Sequence, residues 1–278
     1  MWCPVLRRLW KDKFAVLGAG IIVVIIGLAV LAPVVSPYDP NQVDLLNRLK
    51  PPGTEGHLLG TDQLGRDVLS RLIWGGRVSV AVGVFAVLIA MFFGVFLGLI
   101  AGYFGGAFDI VIMRVIDVLM AFPYVLLAIA IIAAFGPGLV NAMIAISIIG
   151  IPYYARIVRG SVLSLREKEF IQAQHALGSS NWRIMFRHLL PNVFSSVIVA
   201  ATLDVGWMIM AAAGMSFLGL GAQPPTAEWG VMLSNGRQFI RVAPHLSLLP
   251  GLAIFLVVLA FNLLGDGLRD ALDPHLKE

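Results

Sequence analysis

Residues Val118 to Ala155 read VLMAFPYVLLAIAIIAAFGPGLVNAMIAISIIGIPYYA, without one Asp, Glu, Lys or Arg. A helix needs about 20 apolar residues to cross the hydrocarbon of a bilayer. This stretch is too long for one crossing. Gly136-Pro137-Gly138 breaks it near the middle, because proline lacks the N–H that a helix interior requires and glycine adopts turn conformations at little cost. The stretch therefore reads as two spanning helices joined by a tight turn. Lipid is the solvent, and the expected fold class is all-α, a polytopic helical bundle.

Working outward, Phe14 to Val35 and Val78 to Phe108 are also free of charge and supply the first two spans. Gly102, Gly105 and Gly106 mark the expected end of the second. Asn192 to about Met215 supplies a fifth span and Leu246 to Leu264 a sixth. The basic residues before Phe14 are followed by no clean small-residue cleavage pattern, so the first span reads as retained. Composition agrees: 59% of residues are hydrophobic and 13% charged, whereas soluble domains carry about 25% charged residues. The net charge of +4 is no argument for nucleic acid, because Lys and Arg lie beside the spans, where they fix orientation. Most of them fall on one side if both termini are cytoplasmic. The first outer segment weakens that bias with Arg48, Lys50, Arg66, Arg71 and Arg77. The expected organisation is an N-terminal part, residues 1–77, with a cytoplasmic tail, the first span and an outer amphipathic segment. A five-helix core, residues 78–278, follows, with a cytoplasmic loop at 156–191.

Little points to covalent chemistry. Cys3 is the sole cysteine, which excludes an intrachain disulfide and a cysteine metal cluster. His57, His175, His188, His245 and His275 are scattered. No phosphate-cradling Gly-x-x-x-x-Gly-Lys-Ser/Thr, Gly-x-Ser-x-Gly or His-Glu-x-x-His occurs. No cofactor or metal is expected. One ionisable residue, Asp204, lies deep in a span, where a carboxylate costs roughly 2.5–3.5 kcal/mol on insertion scales. Either it faces a cavity on a translocation path, or it sits neutral or hydrogen-bonded against a neighbouring helix.

The polar remainder is more specific. Ser36-Pro37-Tyr38-Asp39-Pro40 is turn chemistry. Thr61 or Asp62 is placed to cap a helix carrying Leu64, Val68, Leu69, Leu72 and Ile73 on one face, a structural collar or a dock for an outer partner. Between Arg156 and Pro191, the run Arg166–Gly178 predicts a short helix that ends at Gly178. Asn181–Leu189 predicts a second before Pro191 opens the next span. Two such helices have no spanning role, so they form a cap or a handle for another protein. Pro224 and Pro225 break the last outer segment, Trp229 suits a membrane interface, and Asp266 and Arg269 are spaced to pair.

Gln172-Ala173-Gln174, Gly178 and His188-Leu189-Leu190-Pro191, following Glu169, resemble the Glu-Ala-Ala loop of binding-protein-dependent ABC importers. In that family the loop forms a coupling helix that docks in a cleft of the ATPase subunit. Gln172 stands where the family has Glu, Gln174 replaces an Ala, and His188 a common Ile. Gly60-Thr61-Asp62 with Gly65-Arg66-Asp67, Ser216–Gly221 with Glu228-Trp229-Gly230, and Gly265-Asp266 with Arg269-Asp270 and Asp273-Pro274 resemble, in this order, the C-type permease of dipeptide, oligopeptide and nickel importers. The resemblance implies a type I importer permease fold with six spans and no ATP hydrolysis of its own. It implies as partners a similar second permease, two ATP-binding subunits, an extracytoplasmic binding protein and membrane lipid, in a bacterial or archaeal plasma membrane. Di- or oligopeptides are the implied cargo, with nickel or a metal chelate as the alternative. A secondary transporter or an intramembrane enzyme is the rival class; a secondary transporter would be expected to show internal repeats with broken helices.

Overall fold

The computed structural model describes residues 2–272, with side-chain surroundings from Val5 onward. Asp273, Pro274, His275 and Lys277 lie outside these residues. The described residues are mainly helical, and pairing of extended chain is limited to two isolated bridges, Thr54 with His57 and Thr61 with Asp67. Helix α1 (Trp2–Leu9) leads into α2 (Lys13–Val30), the first span, which is capped by Asp12. A short α3 (Ala32–Val35) ends it. Then come α4 (Val68–Phe104), α5 (Gly106–Ala121), α6 (Tyr124–Phe135) and α7 (Leu139–Arg166). The short α8 (Glu169–Ala176) and α9 (Asn181–Arg183) precede α10 (Leu190–Phe217), α11 (Trp229–Gly236) and α12 (His245–Leu272). Five helices are long and apolar enough to cross a membrane, and six spans result if α5 and α6 count as one.

That third span is not the straight helix predicted between Val118 and the Gly136 turn. It starts earlier, at Gly106, and α5 and α6 meet at 97°. The backbone explains both ends. Gly105 and Gly106 take positive φ values of 64° and 52°, which break the chain after α4. Pro123 then disfavours the helical region for Phe122, which is extended at φ −90°, ψ 137°. Asp109 and Asp117 make α5 look unlike a span, but both are paired. Asp109 accepts from Arg159 Nε and Nη2 at 2.5 and 2.6 Å, and Asp117 from Arg156 Nη2 at 2.7 Å.

The widest helix pairing joins α4 to α7. Gly94, Gly98 and Gly102 recur every four residues on α4 and leave no side chain between the two backbones. A Cβ at Gly98 would lie 2.6 Å from the Ala155 carbonyl oxygen and 2.8 Å from Val158 Cβ. One at Gly102 would lie 2.8 Å from Val162 Cβ. Small residues at this spacing let membrane helices approach and trade dispersion contacts along their length. Other seams use the same device: a Cβ on Gly18 would lie 2.6 Å from the Ala260 carbonyl oxygen, and Gly265 seats Leu203.

The outer segment does not form a separate surface helix. Its apolar residues from Val68 onward belong to the first turns of α4, and the N-cap is Asp67, whose Oδ2 accepts from Ser70 N at 2.7 Å. Asp62 instead holds Arg66, Oδ2 to Nε at 2.7 Å. Arg71, 2% exposed, lies 3.6 Å from the same oxygen and donates to the Pro40 carbonyl at 2.8 Å. Glu228 caps α11 through Gly230 N and Val231 N and accepts from Ser79 Oγ, each at 2.9 Å. Trp229, expected at a membrane interface, is buried. Its indole packs over Gly75 and Gly76 and donates to the Leu72 carbonyl at 2.9 Å. The two glycines provide the flat bed that moves it inside. The residues shared by the outer motifs thus tie the loops to α4 and α11. Asp266 and Arg269 form no ion pair among the described residues.

Candidate functional site

The predicted handle lies at the end of the bundle where α4 and α7 finish and α10 begins. Helix α7 continues three turns past Ala155 to Arg166, so residues 156–166 are regular helix rather than loop. Arg166 Nη1 donates to the Gly102 carbonyl at 3.2 Å, fastening the end of α7 to α4. The chain then turns at Glu167 and Lys168 into α8.

Helix α8 is held by one buried side chain and a closed C-terminus. Ile171 is its only buried residue, and it joins the cluster containing Ile184, Met185 and Leu189. At the end, Gly178 takes φ +73°. Its N–H donates to the His175 carbonyl, and Ser179 N–H to the Gln174 carbonyl, both at 3.0 Å. This is the paired closure that satisfies the last carbonyls of a helix and that glycine favours. Gln174 adds a side-chain bond, its Oε1 accepting from Ser179 Oγ at 2.9 Å. Gln172 Nε2 donates to the Glu167 carbonyl at 3.1 Å. A carboxylate at residue 172 has no proton to give, so the departure from Glu has a local use.

The other predicted residues divide. Glu169 is exposed in the first turn of α8, where a negative charge suits the helix dipole. Gln172, Ala173 and Gly178 are exposed, while His188 and Leu190 are half-buried. The second short helix is not separate. From Asn181 the chain passes through a wider π turn at Ile184–Leu189 directly into α10, with Pro191 in its first turn. Leu190 N donates to the Met185 carbonyl, five residues back. Proline two positions into α10 removes a donor from the ordinary register, which suits the wider turn.

Two contributors carried no sequence signal. Tyr103, at the end of α4, stacks on His175 with ring centroids 6.0 Å apart and gives its hydroxyl proton to Asn181 Oδ1 at 2.8 Å. The rings of Trp182 and Phe186 stack at 5.3 Å and are exposed, as are Phe170 and Leu177. Trp182 and Phe186 stand four residues apart on one helix face, but helical periodicity does not join them to Phe170 and Leu177. The Gly94-Gly98-Gly102 repeat has the small-residue spacing of a close-packing face, although Gly102 was expected only to mark the end of the span.

Asp204 lies apart from this end. Its Oδ2 accepts from the hydroxyl of the fully buried Tyr154 on α7 at 2.7 Å. Of the two readings left open for it, a hydrogen bond to a neighbouring helix is present. Nearer the α8 end, a cavity of about 550 Å3 opens between α7, α10 and α12, lined in part by Tyr153, Asn192, Ser195, Ser196 and Arg269.

Spanning helices that hold a short, closed polar helix off one end make an integral membrane protein of the multi-span transport type. Residues 94–278 match the family described as binding-protein-dependent transport system inner membrane component, and residues 1–52 match the N-terminal TM domain of oligopeptide transport permease C. The chain is 51% identical over 276 residues to a dipeptide transport system permease protein, DppC, of Alkalihalophilus pseudofirmus, covering 99% of this chain and 90% of that one. It is 47% identical to a glutathione transport system permease protein, GsiD, of Pectobacterium atrosepticum, covering 99% and 92%. Among solved structures, an inward-facing MetNI methionine ABC transporter chain superposes with a TM-score of 0.60 at 18% identity, over 74% of this chain and 98% of that one. That likeness concerns the fold alone. The chain belongs to the family of inner-membrane components of binding-protein-dependent transport systems.

Proposed function

We propose that this chain is one of two similar permease subunits in an ATP-driven importer of di- or oligopeptides, with α8 as the element that two separate ATP-binding subunits move. The observation that carries the reading is the construction of α8. It is anchored by Ile171, closed at Gly178, stacked through His175 on Tyr103 of α4, and otherwise mostly exposed, and the end of α7 that leads into it is tied to α4 by Arg166. A helix built this way passes a push to α7 and α10 as a rigid body rather than absorbing it. Glu169, Gln172, Ala173, Gln174 and Gly178 would contribute the docking surface, with His188, Leu190 and Pro191 at its base. Hydrolysis of ATP is assigned to the partner subunits and no covalent step to this chain.

The peptide cargo rests on the names of the relatives, a dipeptide and a glutathione permease, and is preferred on that ground to nickel or a metal chelate. An extracytoplasmic binding protein would deliver it. Asp204 and the cavity beside Tyr153 are assigned to the path. In this reading both termini and α8 lie on the cytoplasmic side of a bacterial or archaeal plasma membrane.

The test is Ala173→Arg in the complete importer reconstituted in vesicles. Ala173 is exposed, so the fold should be kept. Interface residues that matter cost about 2 kcal/mol or more when disrupted, so binding of the ATPase subunits should weaken about 30-fold and ATP-driven peptide uptake should fall with it. Unchanged association together with unchanged uptake refutes the assignment.

A further inference from the structure

A groove of about 810 Å3 runs along α2 where it faces the first turns of α4 and the outer half of α12. Its wall on α2 includes Leu17, Gly20, Val24 and Leu28. With Lys13 these recur at intervals of three and four, so Lys13 stands on the same helix face at the foot of the groove. A Cβ on Gly20 would meet nothing within 4 Å. Leu17 and Val24 are 55% and 69% exposed. The lining is apolar apart from Trp229, whose indole N–H is already bonded to the Leu72 carbonyl. Water has no partners there. Protein interiors pack nearly as tightly as organic crystals, so a space of this size within a span is filled by whatever surrounds the span.

The foot of the groove is strongly cationic. Arg7, Arg8, Lys11 and Lys13 are all exposed. The one acid among them, Asp12, is occupied: its Oδ1 accepts from Phe14 N at 2.9 Å and Ala15 N at 3.3 Å. The nearby end of α12 adds Asp266 and Asp270, while its Arg269 lines the cavity towards α7 and α10, so the four cations still outnumber the three acids. Leu6, Trp10 and Phe14 are exposed at four-residue spacing. Bulky apolar residues interleaved with Lys and Arg are the composition of a segment that lies in the headgroup layer.

We propose that this groove is a binding site for a phospholipid with an anionic headgroup. An acyl chain fills the space along Leu17 to Leu28, and the phosphate region lies against Lys13 and its neighbouring cations. Each cation near the headgroups strengthens the attraction roughly fivefold (about 1 kcal/mol). The proposal needs only the spans and the charges, and stands apart from cargo and coupling.

The test uses the complete importer in nanodiscs of phosphatidylcholine with a minor share of phosphatidylglycerol. After extraction, retained lipids are counted by native mass spectrometry. The unsubstituted protein should retain phosphatidylglycerol enriched over the bulk. Lys13→Gln, a surface change that leaves the fold intact, should cut that enrichment about fivefold without lowering total retained lipid. A photo-crosslinking side chain at Val24 should capture lipid. Unchanged headgroup preference in Lys13→Gln overturns the proposal, and so does capture of another protein subunit at Val24.

Discussion

Replacing Gly98 with alanine tests whether the glycine seam between α4 and α7 holds the bundle together. The added carbon would sit 2.6 Å from the Ala155 carbonyl oxygen and 2.8 Å from Val158 Cβ, and both neighbours belong to helix that cannot move locally. Overpacking of this kind costs about 1–3 kcal/mol. Alanine recovers about 1 kcal/mol through its better helix propensity, so Gly98→Ala should be destabilising by about 1 kcal/mol. Gly160 is the control. It lies in α7, the other helix of the pair, and a Cβ there would meet nothing within 4 Å. Gly160→Ala should keep the propensity gain and lose nothing. The two variants should therefore differ by about 2 kcal/mol, or roughly 30-fold in the unfolding equilibrium, with the sign reversed between them. Reversible unfolding of the purified subunit in mixed micelles, followed by tryptophan fluorescence, measures the difference. If both substitutions shift the equilibrium equally, the seam is not a close contact and the packing argument fails.

Two further outcomes follow from the same geometry. Glu228→Ala removes an acceptor that serves Ser79 Oγ and two backbone N–H groups, all buried; unsatisfied buried donors cost about 1–3 kcal/mol each, so micellar unfolding should show a loss of about 3 kcal/mol, and a loss below 1 kcal/mol would mean that water replaces the carboxylate. Tyr154→Phe leaves Asp204 without its donor at 2.7 Å, so it should destabilise by about 1–3 kcal/mol, and with Asp204→Leu already in place the same change should cost much less; an equal cost of Tyr154→Phe in both backgrounds would show that the two side chains are not coupled.

The sequence made the solvent, the helix class and the polar end legible, for separable reasons. Long apolar runs with at most one charge identify lipid directly, which is why α2, α4, α7, α10 and α12 were found. Gly178 was legible because a left-handed residue after an apolar-polar helix has few occupants other than glycine. The break at Phe122 was missed because Asp109, Arg114 and Asp117 hid α5 from a criterion based on absence of charge. The ion-pair partners of Asp109 and Asp117, Arg159 and Arg156, lie some 40 to 50 residues away. Trp229 was misplaced for a similar reason. Its burial depends on Gly75 and Gly76, far off in the chain, and no local property of an indole discloses them. Gln172 departs from the family motif, and its use is local: its Nε2 donates to the Glu167 carbonyl, a contact that the motif alone does not disclose.

The α4–α7 seam also divides the molecule by stiffness. Two backbones in contact over three turns cannot slide without lifting Val158 and Val162 over Gly98 and Gly102, so the pair behaves as a beam. If α8 is the element that the ATP-binding subunits move, as proposed, a push on it reaches the far end of α7 along that beam. The corner at Phe122-Pro123 is built differently: α5 and α6 meet there at 97°, with Phe122 extended between them. Beyond the corner α6 lies back on α7 with Ala128 and Ile132 fully buried, so the bend lets one span turn a right angle and still pack against the beam.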